Sequence, residues 1–166
     1  MATTQRRGCT DTMNEPLDAT PSEEFLISGF AALRAAVAVQ VRTDPVGCLR
    51  SSALRYREFA LQHRDYYQVM FGDAVQSHEM TPAVAEQANA VFDEFVVLVR
   101  SGMAAGELAP GDPLAVTQQI WSTLHGAVQL ESAGLLRIAD AERSYGDLFD
   151  ALIRGLRCAL PLFKAS

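Results

Sequence analysis

Residues 81–103 read TPAVAEQANAVFDEFVVLVRSGM, and the reading of this stretch decides the fold. A threonine followed by proline is a helix start. The hydroxyl accepts from an N–H that has no partner in the first turn, and proline, which lacks an N–H, loses nothing at the first helical position. Beyond it Val84, Ala88, Val91, Phe92, Phe95, Leu98, Val99 and Met103 recur at steps of three and four, the spacing of one helical face. Gly106 follows where a helix stops by turning left-handed. The stretch predicts a helix over 82–105.

The same start signal recurs on both sides. Asp44-Pro45 and Asp112-Pro113 repeat it, and Asp140 offers another without proline. Thr20-Pro21-Ser22-Glu23 adds a glutamate to threonine and proline, the pattern of a capping box with Thr20 as N-cap. Further helices are expected over 21–42, 45–70, 113–135 and 141–163, with Gly72 and Gly134 among the stops. In the last of them Tyr145, Leu148, Phe149, Leu152, Ile153, Leu156 and Leu160 repeat the helical spacing. No alternating run of useful length suggests a strand. An all-α bundle of about five long helices is expected over 20–166, while residues 1–19 lack apolar periodicity and read as a disordered segment.

Composition narrows the function classes. The chain has 166 residues, 49% of them hydrophobic, and a formal net charge of −6, so it lacks the cationic surplus that sequence-independent nucleic-acid binding requires. Cys9, Cys48 and Cys158 are widely spaced, which suggests neither a disulfide framework nor a zinc site. There is no apolar run of about 18 residues to span a bilayer and no apolar core of a signal peptide, so a soluble cytoplasmic protein is expected. The histidines are His63, His78 and His125; Glu-x-x-His pairs, HExxH, GxSxG and glycine-rich phosphate loops are all missing. Enzymatic activity, a cofactor and a metal are not expected.

The helix expected over 113–135 is unusual. Leu114, Ala115, Val116, Ile120, Trp121, Leu124, Ala127, Val128 and Leu130 leave it little polar surface, so it needs either a central place or a partner chain. The last helix carries small residues Gly146, Ala151, Gly155 and Ala159 about four apart. Together they point to self-association about a two-fold axis through Ile120, Ala127, Leu130, Leu148, Leu152, Gly155, Leu156 and Ala159. The alternative is a helix at the centre of a monomeric bundle.

Two stretches carry polar or aromatic groups that invite a functional reading. In WSTLHG, residues 121–126, His125 lies four residues after Trp121 on one helical face. Gly126 follows it inside the helix, where glycine costs about 1 kcal/mol relative to alanine and is tolerated when something must come close. His125 is then a buried neutral imidazole with a hydrogen-bond partner, a group lining a small-molecule cavity, or, least in keeping with its neighbours, a metal ligand. In YREFALQHRDYYQVMFG, residues 56–72, Tyr56, Phe59, Ala60 and His63 share a face, and Tyr66, Tyr67, Met70 and Phe71 cluster at the end. Such residues fill a core, and they equally line an adaptable apolar pocket.

Two of these stretches, FALQHRDYYQVMFG at 59–72 and IWSTLHGAVQLESAG at 120–134, resemble the C-terminal half of TetR-family transcriptional regulators, in the group with a Trp-x-x-x-His-Gly signature. PSEEFLISGFAALRAAV at 21–37 is similar to the long helix that leaves the DNA-binding head of such proteins. The resemblance spans roughly 21–163. It implies an effector-binding and dimerisation domain in which the last two helices pair into a four-helix bundle and the inner helices surround a pocket for a small apolar effector. Trp121 and His125 would face or brace that pocket; Tyr56, Phe59, Phe71, Phe92 and Phe95 join them by helical face. Arg64 stands where such proteins often carry proline, so the helix is expected to run on unkinked. About twenty residues before the capping box are too few for a three-helix head with a helix-turn-helix. The chain as written is therefore expected not to bind an operator alone, as from a truncated gene, a misread start or a frameshift. Its expected partners are a second copy, a small apolar effector and a full-length relative, with no membrane. The other reading is a helical interaction module with a filled core.

Overall fold

Five of the six described helices begin where a side chain takes over unbonded N–H groups. The computed structural model describes residues 22–40, 43–72 and 80–157. Helix α1 spans Glu23–Val37 and is capped by Ser22, whose hydroxyl accepts from Phe25 N–H at 3.2 Å. Helix α2 spans Pro45–Gln62 and α3 spans Arg64–Phe71. Helix α4 spans Pro82–Ala104, α5 Pro113–Ser132 and α6 Ala141–Arg157. Asp44 accepts from Gly47 N–H, Thr81 from Val84 N–H, Asp112 from Leu114 N–H and Asp140 from Arg143 N–H. Gly106 and Gly134 hold φ of +73° and +69°, the left-handed turns that end α4 and α5. No strand occurs among the described residues, and the chain is all-α.

Helices α2 and α4 form the centre. Helix α4 lies against α1, α2 and α5, while α2 also meets α3, α5 and α6. The core they share is apolar: Leu33, Val37, Leu49, Ala53, Val84, Val91, Phe95, Val99, Ile120, Leu124, Val128 and Phe149 are all closed to solvent. Two of its buried polar side chains are tied to backbone. Ser52 donates to the Val37 carbonyl at 2.7 Å and Tyr145 to the Ala53 carbonyl at 3.1 Å. Across the α2–α5 contact Arg57 grips Glu131 with both nitrogens, at 2.8 and 2.6 Å, and sits over the ring of Tyr145 on α6. That fork–fork pair pins three helices at one point.

Several expectations need correction. The helix expected over 45–70 is two helices, broken at His63, whose backbone leaves the helical region at φ −117° and ψ 52°. The break occurs without proline, and Arg64 opens α3 instead of extending α2. Helix α1 is capped by Ser22 and ends at Val37, not 42. Thr20, Pro21 and the segment 1–19 lie outside the described residues, as does everything after Arg157. Helix α5 buries a single stripe, Thr117, Ile120, Leu124 and Val128, so it is not enclosed on most faces within one chain.

Candidate functional site

The break at His63 builds the site. Residues eleven apart on an unbroken helix are separated by about 16 Å along its axis. Here α3 folds back, and the hydroxyls of Tyr56 on α2 and Tyr67 on α3 stand 3.1 Å apart. Both reach Nδ1 of His125 on α5, at 3.0 Å from Tyr56 and 2.8 Å from Tyr67. Three helices thus meet at a triangle of polar atoms inside an apolar shell.

Proton counting leaves two arrangements of that triangle. Burial raises the Tyr56 hydroxyl well above its ordinary pKa, with Tyr67 beside it adding to the shift, and burial raises Tyr67 too, so both hydroxyls keep their protons. Burial lowers His125, which is therefore neutral at physiological pH. With Nδ1 as acceptor, one hydroxyl donates to the ring and the other to its neighbour, and every proton in the triangle is used. With Nδ1 as donor, one hydroxyl proton has nowhere to go within it. The Gln129 side-chain nitrogen, a donor only, stands 3.4 Å from Nε2 and fits the second arrangement, in which Nε2 accepts and Nδ1 donates to a hydroxyl.

His125 also forms part of the wall of a cavity of about 530 Å³ between α1, α3, α4 and α5. Phe71, Phe92 and Trp121 line it with His125. Phe30 on α1, Met70 on α3, Met80, and Ala88, Asn89 and Gln118 complete the lining. Rings meet edge-on around it: Phe71 lies 4.9 Å from His125, and Phe92 lies 6.1 Å from Trp121. Tyr56 and Phe95 stand behind the wall, both packed edge-on against Trp121, at 5.1 and 5.7 Å. They brace the pocket without lining it. Phe59 is a correction: it is buried on the other side of α2, against His63 at 4.8 Å, and takes no part.

Sequence reasoning left Met70 open between core and pocket, and passed over Phe30, Met80, Ala88, Asn89 and Gln118 as pocket residues and Tyr67 as a partner of His125. Gln118 and Asn89 each lie three residues before an expected lining residue, Trp121 and Phe92, so helical spacing pointed to them. Nothing local marks Phe30, which reaches the cavity only through the packing of α1. Met70 is held there by a close approach. A Cβ on Gly29 of α1 would lie 2.7 Å from the Met70 sulfur, so the bare backbone of α1 rests directly on that side chain.

A second hollow, of about 380 Å³, lies on the outer side of α5 and α6 and is lined by Gly126, Ala127, Leu130, Tyr145 and Leu148, among others. Of the residues expected at a self-association surface, Leu130 and Leu148 are 49% and 39% exposed, Gly155 is exposed, and Ala127 and Leu152 are half-buried. Ile120 and Leu156 are corrections: they point into the chain's own core and have no side chain to offer a partner. Ala159 lies outside the described residues. Among the described residues no group of histidine, cysteine and acidic side chains is arranged to hold a metal, and no helix is long and apolar enough to cross a membrane.

The family model for the tetracyclin repressor-like C-terminal domain matches residues 49–156, most of this helical unit and all of the triangle. The chain belongs to that family. Among solved structures, this tetracyclin repressor-like domain is similar to a protein with unknown function from Rhodococcus sp. RHA1, at 27% identity and a TM-score of 0.74, over 82% of this chain and 71% of the other. No curated protein matches it.

Proposed function

We propose that this tetracyclin repressor-like domain is a regulatory unit that binds a small apolar effector in the cavity beside Trp121 and His125 and pairs with a second copy through the outer face of α5 and α6. The observation that carries the first half is the cavity itself. Its volume falls in the range of small-molecule sites, and its wall is mostly aromatic and sulfur-bearing with a few polar tips. A thermal-shift screen with apolar compounds tests it. An occupant of the native state raises the unfolding midpoint, by about 2.7 kcal/mol of stability at a hundredfold excess over Kd. A flat response across the screen would favour the other reading, an interaction module whose core closes over the cavity.

The second half rests on the exposed leucines at 130 and 148 and on two glycines. Gly126 on α5 and Gly155 on α6 are both helix-interior positions where an added Cβ would meet nothing within 4 Å. Among the described residues none supplies a packing reason for them. A partner helix approaching at those points does supply one, since close backbone approach requires small residues. Sedimentation of the wild type and of Leu130→Glu/Leu148→Glu is the check: dimer for the first, monomer for the second. The same face suits a relative of the same family, paired with this chain in place of a second copy. No catalytic role is assigned to His125, so its replacement should alter stability or affinity and no turnover.

A further inference from the structure

We infer that two copies pair with their α6 helices antiparallel about Ala151, so that Asp147 of each copy meets the partner's Arg154. The inference rests on the pairing proposed above and adds its direction, its register and the source of its selectivity.

Helix α6 divides between an inner and an outer face. Tyr145, Phe149, Ile153 and Leu156 are buried against the chain's own core. Asp147, Ala151 and Arg154, spaced by four and three, share the opposite, exposed face, with Leu148 and Gly155 alongside. Neither charge is tied down within the chain. Asp147 has Arg143 of its own helix at 3.7 Å, with side chains 71% and 79% exposed. Arg154 has no ion pair among the described residues. Asp150, which lies between them in sequence, is already held by Arg50 from α2 at 3.0 Å.

A partner that covers this face must answer those two charges, because a charge taken out of water without a counter-charge is costly. Helix α5 cannot answer them. Its one charged residue is Glu131, which Arg57 holds at 2.6 Å. An α6 laid over the partner's α5 therefore leaves Arg154 without a carboxylate. Two α6 helices side by side in the same direction set like charge against like at both positions, and these repel. The antiparallel arrangement satisfies both. Asp147 and Arg154 are about 10.5 Å apart along the helix axis. A two-fold axis at Ala151, close to their midpoint, brings each onto its complement, so the contact is made twice. A single methyl group stands at that crossing. Gly155, four residues further, has open space where a Cβ would be. Two backbones can approach there closely enough for an aspartate to reach an arginine. Leu148, 39% exposed in the single chain, then lies beside the ion pair and keeps water from it.

Reversing one charge at a time gives a test that only a reciprocal contact passes. Asp147→Arg makes this face positive and Arg154→Asp makes it negative. Both positions are exposed in the single chain, so circular dichroism should stay that of the wild type. In sedimentation each variant alone is expected to self-associate at least about tenfold more weakly than the wild type, since like charges then meet at two places. Mixed in equal amounts, the two variants are expected to pair with each other within about threefold of wild-type affinity, because both contacts then join opposite charges. Self-association of either variant at wild-type strength would overturn the inference and leave the pairing itself standing. So would two variants that stay apart when mixed. A wild type that sediments as a monomer would overturn the proposed pairing and this inference together. Should a variant fail to fold, the wild type answers alone. Its dissociation constant is expected to rise between about 0.05 and about 1 M salt, which screens ion pairs. A constant that falls or stays level would overturn the ion pair.

Discussion

At the scale of residues, the Tyr56–Tyr67–His125 triangle behaves as one unit. Tyr67→Phe removes the shortest of its bonds but leaves Tyr56 to serve Nδ1, so a loss of about 1 kcal/mol in urea unfolding is expected. The double replacement with Tyr56→Phe leaves a buried ring nitrogen with no partner and should cost more than the two single losses summed. Additive losses would mean that water reaches Nδ1. Acidification acts on the same ring. Burial holds the folded-state pKa of His125 below its ordinary 6.5, so the unfolded chain takes up a proton more readily than the folded one. This contribution to stability is complete above pH 6.5 and is lost as pH falls from there through the folded value. His125→Phe, if it folds, should flatten that part of a melting-temperature profile; an identical profile would assign the loss to other groups.

Helices carry different lessons. Four of the helix starts were legible because capping chemistry is local: Asp44, Thr81, Asp112 and Asp140 each do with their own side chain what their position implies. The break at His63 was not legible, because YREFALQHRDYYQVM contains no proline or glycine and its apolar residues keep helical spacing throughout. What breaks it is tertiary: Tyr67 and Met70 are buried only if α3 turns back over α1 and α2, and that burial outweighs the lost helical bonds. The cavity was half legible for the same reason. Trp121, His125, Phe71 and Phe92 announce themselves along single helices, whereas Phe30 and Met70 become neighbours only once α1 and α3 are packed. The expected surface on α5 was misjudged at Ile120, because a helix with few polar residues does not reveal which of its apolar stripes faces inward. Gly126→Ala belongs at this scale too. It should stabilise the isolated chain by up to about 1 kcal/mol, since the new methyl has space around it, and weaken pairing in sedimentation, since a partner would fill that space. Stabilisation with undiminished pairing would remove Gly126 from the interface.

For the molecule as a whole, pairing and stability are linked. Leu130 and Leu148 on one face leave a surface that a second copy would cover, and a domain of this kind should melt at a temperature that rises with protein concentration. Differential scanning at a hundredfold range of concentration checks this, and a midpoint independent of concentration would argue for a monomer. The Arg57–Glu131 pair ties α2 to α5 with side chains only 14% and 15% exposed. Arg57→Ala would strand a carboxylate there, and a loss of about 2–3 kcal/mol is expected in chemical unfolding, against under 1 kcal/mol for an ordinary surface pair.

The seat of Gly29 on Met70 has a mechanical side. A helix usually rests on its neighbours through side chains, each of which swivels and absorbs part of any displacement. Here the backbone of α1 sits on a thioether whose opposite side is the cavity wall, so there is no cushion between them. Packed interiors resist compression. An occupant that pushes Met70 outward therefore moves α1 by nearly the same amount, whereas one that leaves Met70 in place leaves α1 at rest. Two molecules of equal affinity would then differ as stimuli by their thickness over that one sulfur atom.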